Sequence, residues 1–164
     1  MDKILIVKIG GKLINNSHVL HRFLKSFAKI KTKKILIHGG GNQVTEMCKK
    51  LNLDVKIRNG RRITSIQDLE VATMIYAGSL NKTLVTKLQS FNCNSIGLSG
   101  ADANLIESVK RPVKEIDYGL VGDIKKINSI FLKKLIDQNL TPVICSITHD
   151  KKGQLLNTNA DTIS

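Results

Sequence analysis

The segment Ile4–Gly11 reads ILIVKIGG, a short apolar run of β-type residues that ends directly in a glycine pair. A second segment of the same kind, Ile35–Gly41, reads ILIHGGG. Glycines that follow a strand and lead into a helix let backbone N–H groups approach an anion with no Cβ in the way. The two segments therefore predict a site for a phosphate or a carboxylate. The alternative is a pair of tight turns, for which glycine is equally suited.

Lys8 strengthens the anion-site interpretation, because it lies near the end of the first run, where a parallel sheet presents residues to its ligand. A lysine at a strand end can also simply reach solvent. Two better-known phosphate templates do not match. The chain has no G-x-x-x-x-G-K-[ST], and Val44 stands where a dinucleotide fingerprint starting at Gly39 needs its third glycine. A nicotinamide dinucleotide site is therefore the weaker interpretation.

Length and composition favour one α/β domain with an ordinary core, since the chain has 164 residues of which 41% are hydrophobic. It has no run of eighteen apolar residues and no signal peptide, so we expect a cytoplasmic protein without membrane contact. Cys48, Cys93 and Cys145 are odd in number and far apart in sequence. They fit neither a disulfide framework nor C-x-x-C ligation, and no metal-binding residues are predicted.

The net charge of +13 raises the hypothesis of nucleic-acid binding. The basic residues are spread along the chain in short groups, and only 4% of the residues are aromatic, so a stacking platform for single strands is missing. Nucleic-acid binding is therefore not expected as the main function. A non-catalytic anion- or nucleic-acid-binding domain stays the alternative to an enzyme, and the charge can assist the capture of anionic substrates.

Hydrophobic periodicity predicts strands and helices in alternation. Strands are predicted over 4–9, 34–38, 95–98 and 141–147, an extended segment over 55–58, and an antiparallel pair over 105–110 and 120–127. Helices are predicted over 17–30, 42–51, 65–78, 80–91 and 129–139, with Val19 and Leu51 facing the core, a turn at Asn59-Gly60 and a cap at Ser65–Asp68. The pattern predicts a layered α/β fold with a mostly parallel sheet.

Five motifs, in order along essentially the whole chain, resemble those of the acetylglutamate kinases of the amino acid kinase family. They are Lys8-Ile9-Gly10-Gly11, His38-Gly39-Gly40-Gly41, Asn59-Gly60-Arg61-Arg62-Ile63-Thr64, Gly97-Leu98-Ser99-Gly100-Ala101-Asp102 and Leu155-Leu156-Asn157-Thr158-Asn159-Ala160-Asp161. The resemblance implies transfer of the γ-phosphoryl group of ATP, with Mg²⁺, to the side-chain carboxylate of N-acetyl-L-glutamate or another N-acyl-glutamate, the second step of arginine biosynthesis.

The resemblance also implies roles for individual residues. Lys8 would stabilise the phosphoryl group in transit, cradled by the Gly10 and Gly11 amides, and Asp161 would position Lys8. Gly40 and Gly41 would offer amides to the acyl amino acid, Arg62 would bind a substrate carboxylate, and Asn157 would donate or accept a hydrogen bond there. The alternatives are a solvated Arg61–Arg62 pair and helix capping by Asn157 and Asp161, although Asn159 is the better candidate for the cap.

The chemistry agrees with this resemblance, because a carboxylate nucleophile is already ionised at neutral pH and needs no general base. The absence of a convincing Ser/His/Asp or Cys/His set therefore favours it, and His38 is predicted to be structural.

Family members continue for about another domain. The resemblance implies a three-layer αβα sandwich with a mostly parallel central sheet. Residues 1–164 are expected to be a truncated form of it, the N-terminal acyl-amino-acid-binding domain, with the nucleotide-binding half outside this sequence. The sequence would then be a fragment of a kinase or an inactive remnant. We expect no transfer from these residues alone, and a homodimer or higher homo-oligomer.

Overall fold

The structure, a computed structural model, describes residues 3–164. Its strands are β1 Leu5–Ile9, β2 Lys34–His38, β3 Ile57–Arg58, β4 Arg61–Arg62, β5 Ser95–Leu98, β6 Ile106–Lys110, β7 Gly122–Ile127, β8 Thr141–Cys145, β9 Ile147–His149 and β10 Leu155–Asn157. Its α-helices are α1 Gly11–Ile14, α2 Ser17–Ala28, α3 Gly41–Lys50, α4 Ile66–Thr73, α5 Asn81–Ser90, α6 Ser129–Asp137 and α7 Ala160–Ile163, with a π-helix over Met74–Leu80 and a 3₁₀ turn over Asp102–Asn104.

The central sheet has the strand order β1-β2-β8-β5, and all its neighbours pair in parallel. Every residue of β2 and β8 is buried, because these strands lie inside the sheet and are covered on both faces. Side chains alternate between the faces. Leu36 and Val143 pack in a cluster with α2 and α5, whereas Ile35 and Ile144 pack with α6 and α7. The predicted three-layer sandwich is therefore confirmed.

A second sheet, with the order β10-β9-β6-β7, lies next to the central one. The predicted antiparallel pair forms it as β6 and β7, and β9 and β10 are also antiparallel. The single strand predicted over 141–147 is wrong, because the chain divides at Ser146 into β8 of the central sheet and β9 of the second sheet. The Ser146 hydroxyl donates to the His38 carbonyl oxygen at 2.9 Å, which holds the crossing point against β2.

The segment from Ile66 to Ser90 is continuously helical where the sequence predicts two helices. Its start is confirmed as a capping box, in which the Ser65 hydroxyl accepts from the Asp68 amide and the Asp68 carboxylate accepts from the Ser65 amide. The π-helix joins α4 to α5 without a break. Its wider turns direct Tyr76 and Leu80 into the protein, against Gly40.

Lys34 explains why α2 ends at Ala28, two residues earlier than predicted. Its buried ammonium donates to the carbonyl oxygens of Phe27, Ala28 and Ile30 at 2.9, 3.0 and 2.5 Å, and so caps the helix. Burial lowers the pKa of Lys34.

Two predicted core positions are wrong. Val19 and Leu51 are both exposed, because each lies at the edge of its helix's apolar face, next to a helix end.

The sheet edge formed by β1 is open, with exposed side chains at Ile4, Leu5 and Ile6.

The three cysteines are free and buried, and burial raises the pKa of Cys145 to about 11. Within residues 3–164, no helix combines the length and the apolar character that crossing a membrane requires.

Candidate functional site

A cleft of about 320 Å³ opens at the carboxyl ends of β1, β2 and β8. Four segments line it: the glycines after β1, the glycines after β2, the β3–β4 hairpin and the chain from β10 into α7. The predicted site residues among its lining are Lys8, Gly10, Gly11, Gly40, Gly41, Arg62, Asn157 and Asp161. The structure thus brings together every residue that the sequence proposed for the site, from segments as far apart in sequence as Lys8 and Asp161. Their individual roles stay predictions.

Lys8 and Asp161 form an ion pair at one end of the cleft, with Nζ 2.7 Å from Oδ1. The side chain of Lys8 is 28% exposed and that of Asp161 is 70% exposed. Asp161 lies in the first turn of α7, where the Asn159 side chain accepts from its amide at 2.7 Å. The prediction that Asn159 is the cap is confirmed, so the Asp161 carboxylate is left to contact Lys8.

The glycines after β1 keep the Lys8 ammonium close to the backbone. A Cβ on Gly10 would lie 3.5 Å from Lys8 Nζ, and a Cβ on Gly11 would lie 3.4 Å from the Asn42 side chain. Gly10 precedes α1 as its N-cap, with extended backbone and no side-chain cap. Lys8 therefore shares its end of the cleft with exposed backbone, as an anion cradle requires.

Gly40 has a conformation that only glycine adopts easily, with φ +150°. A Cβ there would lie 2.8 Å from Cδ2 of Leu80 and 3.1 Å from Cε1 of Tyr76, so both the backbone and the packing require glycine. Gly40 is the N-cap of α3, a helix of ten residues. The amides of Gly40 and Gly41 donate to no acceptor in the described part of the chain, and they remain available to an anion.

Arg62 also lines the cleft and is held by three groups. Its Nη2 donates to Thr45 Oγ1 at 2.5 Å and to the Gly41 carbonyl oxygen at 3.3 Å, and its Nη1 lies 3.5 Å from Asp68 Oδ1. The side chains of Arg62 and Asp68 are only 8% and 6% exposed. Arg61, in contrast, is exposed. Because the Arg62 side chain is held inside the protein by these contacts, the alternative of a solvated arginine pair is wrong for Arg62.

Asn157 connects the cleft to the second sheet. Its Nδ2 donates to Thr64 Oγ1 at 3.1 Å, and its amide oxygen accepts no hydrogen bond within residues 3–164. It does not cap α7, since Asn159 has that role. The free oxygen can accept from a donor on a ligand in the cleft, such as a substrate amide.

The described residues contain no group of three His, Cys, Asp or Glu side chains placed to bind a metal ion. The Asp161 carboxylate lines the same cleft and is already paired with Lys8. These residues therefore do not supply a ligand set for Mg²⁺, and a magnesium ion would have to take its ligands from elsewhere, such as phosphate oxygens and water.

The model of the amino acid kinase family matches residues 3–164. The chain belongs to this family. It is 51% identical to an acetylglutamate kinase of Cytophaga hutchinsonii over 165 aligned residues, covering 100% of this chain and 62% of that protein. It is 48% identical to the acetylglutamate kinase of Parabacteroides distasonis, covering 100% of this chain and 64% of that protein. The chain thus spans less than two thirds of these relatives, and the predicted family is confirmed.

Two solved structures show the same fold. The smu.665 protein of Streptococcus mutans superposes with a TM-score of 0.84 at 25% identity, covering 98% of this chain and 65% of that one. An N-acetylglutamate synthase of Neisseria gonorrhoeae, complexed with coenzyme A and N-acetyl-glutamate, superposes with a TM-score of 0.79 at 18% identity. The match covers 96% of this chain and 36% of the synthase, and at this identity it concerns the fold alone.

The sequence analysis missed Tyr76, which lines the same cleft. Its ring is 5% exposed, and its hydroxyl lies 3.9 Å from the position that a Cβ on Gly41 would have. Burial raises the pKa of Tyr76 to about 12, so the hydroxyl keeps its proton at neutral pH. It has no hydrogen-bond partner among the described residues. Helical periodicity cannot reveal this residue, because the π-helix alters which side chains face inward.

Proposed function

We propose that this chain is the acyl-amino-acid-binding part of an acetylglutamate kinase. The complete protein would transfer the γ-phosphoryl group of ATP to the side-chain carboxylate of N-acetyl-L-glutamate, in the cytoplasm. The observation that carries the proposal is the presence of two cations in the lining of one cleft, with Lys8 beside the first glycine pair and Arg62 beside Gly41 and Thr45. A substrate with two carboxylates suits this arrangement, because one can be anchored while the other reacts.

The reaction would be a displacement at phosphorus. An oxygen of the substrate's side-chain carboxylate attacks the γ-phosphorus of ATP, the bond from that phosphorus to the β–γ bridging oxygen breaks, and ADP leaves with the electron pair. No proton moves, since the carboxylate is ionised at neutral pH. Catalysis therefore depends on position and on stabilising charge at the phosphoryl oxygens. The Lys8 ammonium and the Gly10 and Gly11 amides would do this, and Asp161 would orient Lys8.

The substrate would be held beside Arg62. Arg62 carries a planar guanidinium of the kind that suits a carboxylate, and Asp68 and Thr45 hold it in the lining of the cleft. The Gly40 and Gly41 amides and the Tyr76 hydroxyl would donate to substrate oxygens, and the Asn157 oxygen would accept from the substrate amide.

ATP enters this proposal as co-substrate, bound mainly by residues outside 1–164. Magnesium would accompany the nucleotide, and no step above depends on it.

Substrate binding can be tested by ¹H–¹⁵N NMR titration of the chain with N-acetyl-L-glutamate. We expect shifts at the amides of Gly40 and Gly41. N-acetyl-L-alaninamide, which has no carboxylate, is the small-molecule control, and a non-specific oligonucleotide tests the alternative function. Shifts with the oligonucleotide but not with N-acetyl-L-glutamate would contradict the proposal and favour a nucleic-acid-binding domain.

Transfer can be tested on a chimera in which this chain replaces the matching 62% of the Cytophaga hutchinsonii relative. A hydroxamate assay detects the acyl phosphate product. We expect activity with N-acetyl-L-glutamate and none with the 164 residues alone. A folded chimera that binds both substrates and yet forms no acyl phosphate would contradict the assigned chemistry.

Self-association is also part of the proposal, because the open β1 edge presents unpaired backbone groups and exposed apolar side chains. Light scattering should detect a homodimer or a higher oligomer. Replacing the exposed Ile6 by lysine should reduce association if this edge mediates it, and Ile130→Lys, at an exposed site on α6, is the control.

A further inference from the structure

His38 lies directly below the second glycine segment and makes a hydrogen bond with each ring nitrogen. Its Nδ1 is 2.9 Å from the Gly39 carbonyl oxygen, and its Nε2 is 3.0 Å from Nδ2 of Asn81. The side chain is completely buried and is not part of the cleft lining, so it has no contact with a bound substrate in the function proposed above. Its prediction as a structural histidine is confirmed, and its contacts indicate what it holds in place.

Asn81 determines which ring nitrogen carries the proton. Its Nδ2 is also 3.0 Å from the carbonyl oxygen of Val143, which can only accept, so the amide nitrogen must face that carbonyl. The second hydrogen of the same NH₂ group is donated to Nε2 of His38. Nε2 is therefore an acceptor, and the proton of the neutral ring is on Nδ1, which donates to Gly39. Burial lowers the pKa of His38 to about 4 and keeps the ring neutral.

The Gly39 carbonyl in turn determines the direction of the next amide. In a trans peptide the C=O and N–H bonds point in opposite directions, and no cis peptide bond occurs in residues 3–164. Because the Gly39 carbonyl faces the His38 ring, the Gly40 N–H faces away from it, on the side of the cleft that Gly40 lines. The Gly39 amide is held separately, since it donates to the Ile9 carbonyl oxygen at 3.4 Å.

We propose that His38 and Asn81 are positioning residues that fix the Gly40 amide for an anionic oxygen of the ligand. The chain of contacts runs from the Val143 carbonyl in the central sheet through Asn81 and the His38 ring to the Gly39–Gly40 peptide. An amide aimed in advance needs no reorganisation when the anion binds. The identity of the ligand rests on the proposed function, whereas the positioning itself does not.

Two substitutions of His38 separate the two hydrogen bonds. The amide nitrogen of asparagine can occupy the place of Nδ1 and keep the bond to Gly39, whereas the amide of glutamine reaches the place of Nε2 and contacts only Asn81. We expect His38→Gln to weaken N-acetyl-L-glutamate binding by about tenfold and His38→Asn by no more than about twofold. His18→Gln, at an exposed histidine, is the control and should bind as the unchanged chain does. Equal weakening by both His38 variants would overturn the proposal.

A second measurement needs neither a variant nor a substrate. The ¹⁵N signals of the His38 ring should show a neutral ring protonated at Nδ1 at neutral pH, and a ring protonated at Nε2 or doubly protonated would overturn the proposal. In the ligand-free chain, His38→Gln should also shift the Gly40 amide resonance more than His38→Asn does. If the unchanged chain fails to bind N-acetyl-L-glutamate while these signals are as expected, the proposed function fails and the positioning stands.

Discussion

The two charged pairs of the cleft are built in different ways. Lys8 and Asp161 are both partly exposed, and Asp161 belongs to a helix of four residues. Arg62 and Asp68 are both buried, and Asp68 also belongs to the capping box of α4. Exposed ion pairs contribute about 0.2–1 kcal/mol and are screened by salt, whereas breaking a buried pair costs about 3–5 kcal/mol. The Arg62 end is therefore preformed by the fold, and the Lys8 end stays adjustable.

The largest expected effect concerns the stability of these two pairs. Asp68→Asn removes the buried partner of Arg62 and should lower the free energy of unfolding by about 3–5 kcal/mol. Asp161→Asn removes an exposed partner and should lower it by no more than about 1 kcal/mol. Urea unfolding followed by circular dichroism measures both. Similar losses for the two variants would mean that the two ends do not differ in the way described.

The second effect concerns the adjustable end and requires the transfer-competent chimera. Because Lys8 is proposed to meet charge that develops on the phosphoryl group, Lys8→Ala should reduce kcat by about 100- to 1,000-fold and change the KM for N-acetyl-L-glutamate far less. Lys12→Ala, at an exposed lysine on α1, is the matched control in steady-state kinetics. A raised KM with kcat preserved would instead make Lys8 a ground-state binding residue.

A smaller effect is expected at the preformed end. Arg62→Lys should weaken N-acetyl-L-glutamate binding by about 1.5–3 kcal/mol, because lysine lacks the bidentate fork that a desolvated carboxylate site uses. Arg61→Lys should change it much less, since Arg61 is exposed. Calorimetric titration of both variants decides between them. If Arg61→Lys has the larger effect, the substrate carboxylate binds to the other arginine.

The smallest effect tests the residue that sequence analysis missed. Tyr76→Phe removes only the hydroxyl and should weaken N-acetyl-L-glutamate binding by about 0.5–1.5 kcal/mol while leaving the free energy of unfolding unchanged. Tyr118→Phe is the control, because Tyr118 lies under the Arg111 guanidinium and outside the cleft lining. Unchanged binding by Tyr76→Phe would show that the hydroxyl does not reach the ligand.

Much of the fold follows from patterns within a few residues. The apolar runs of β1 and β2, the Asn59-Gly60 turn and the capping box at Ser65 are local features, and the structure confirms each. The predictions failed where distant residues decide. The strand predicted over 141–147 divides at Ser146 because two sheets meet there. Helix α2 ends early because the ammonium of Lys34, six positions beyond the last residue of the helix, donates to the carbonyl oxygens at the helix end.

For the site, the sequence by itself determined which glycines a backbone turn beside an anion needs and which charged residues accompany them. The identity of the residues alone sets these features, because the backbone freedom of glycine and the planar shape of the arginine guanidinium are properties of the single residue. Tertiary structure alone decided that Asp68 holds Arg62, that Tyr76 reaches the cleft and that Asn81 contacts the His38 ring. These contacts join side chains from different elements, and their burial and direction depend on how those elements pack.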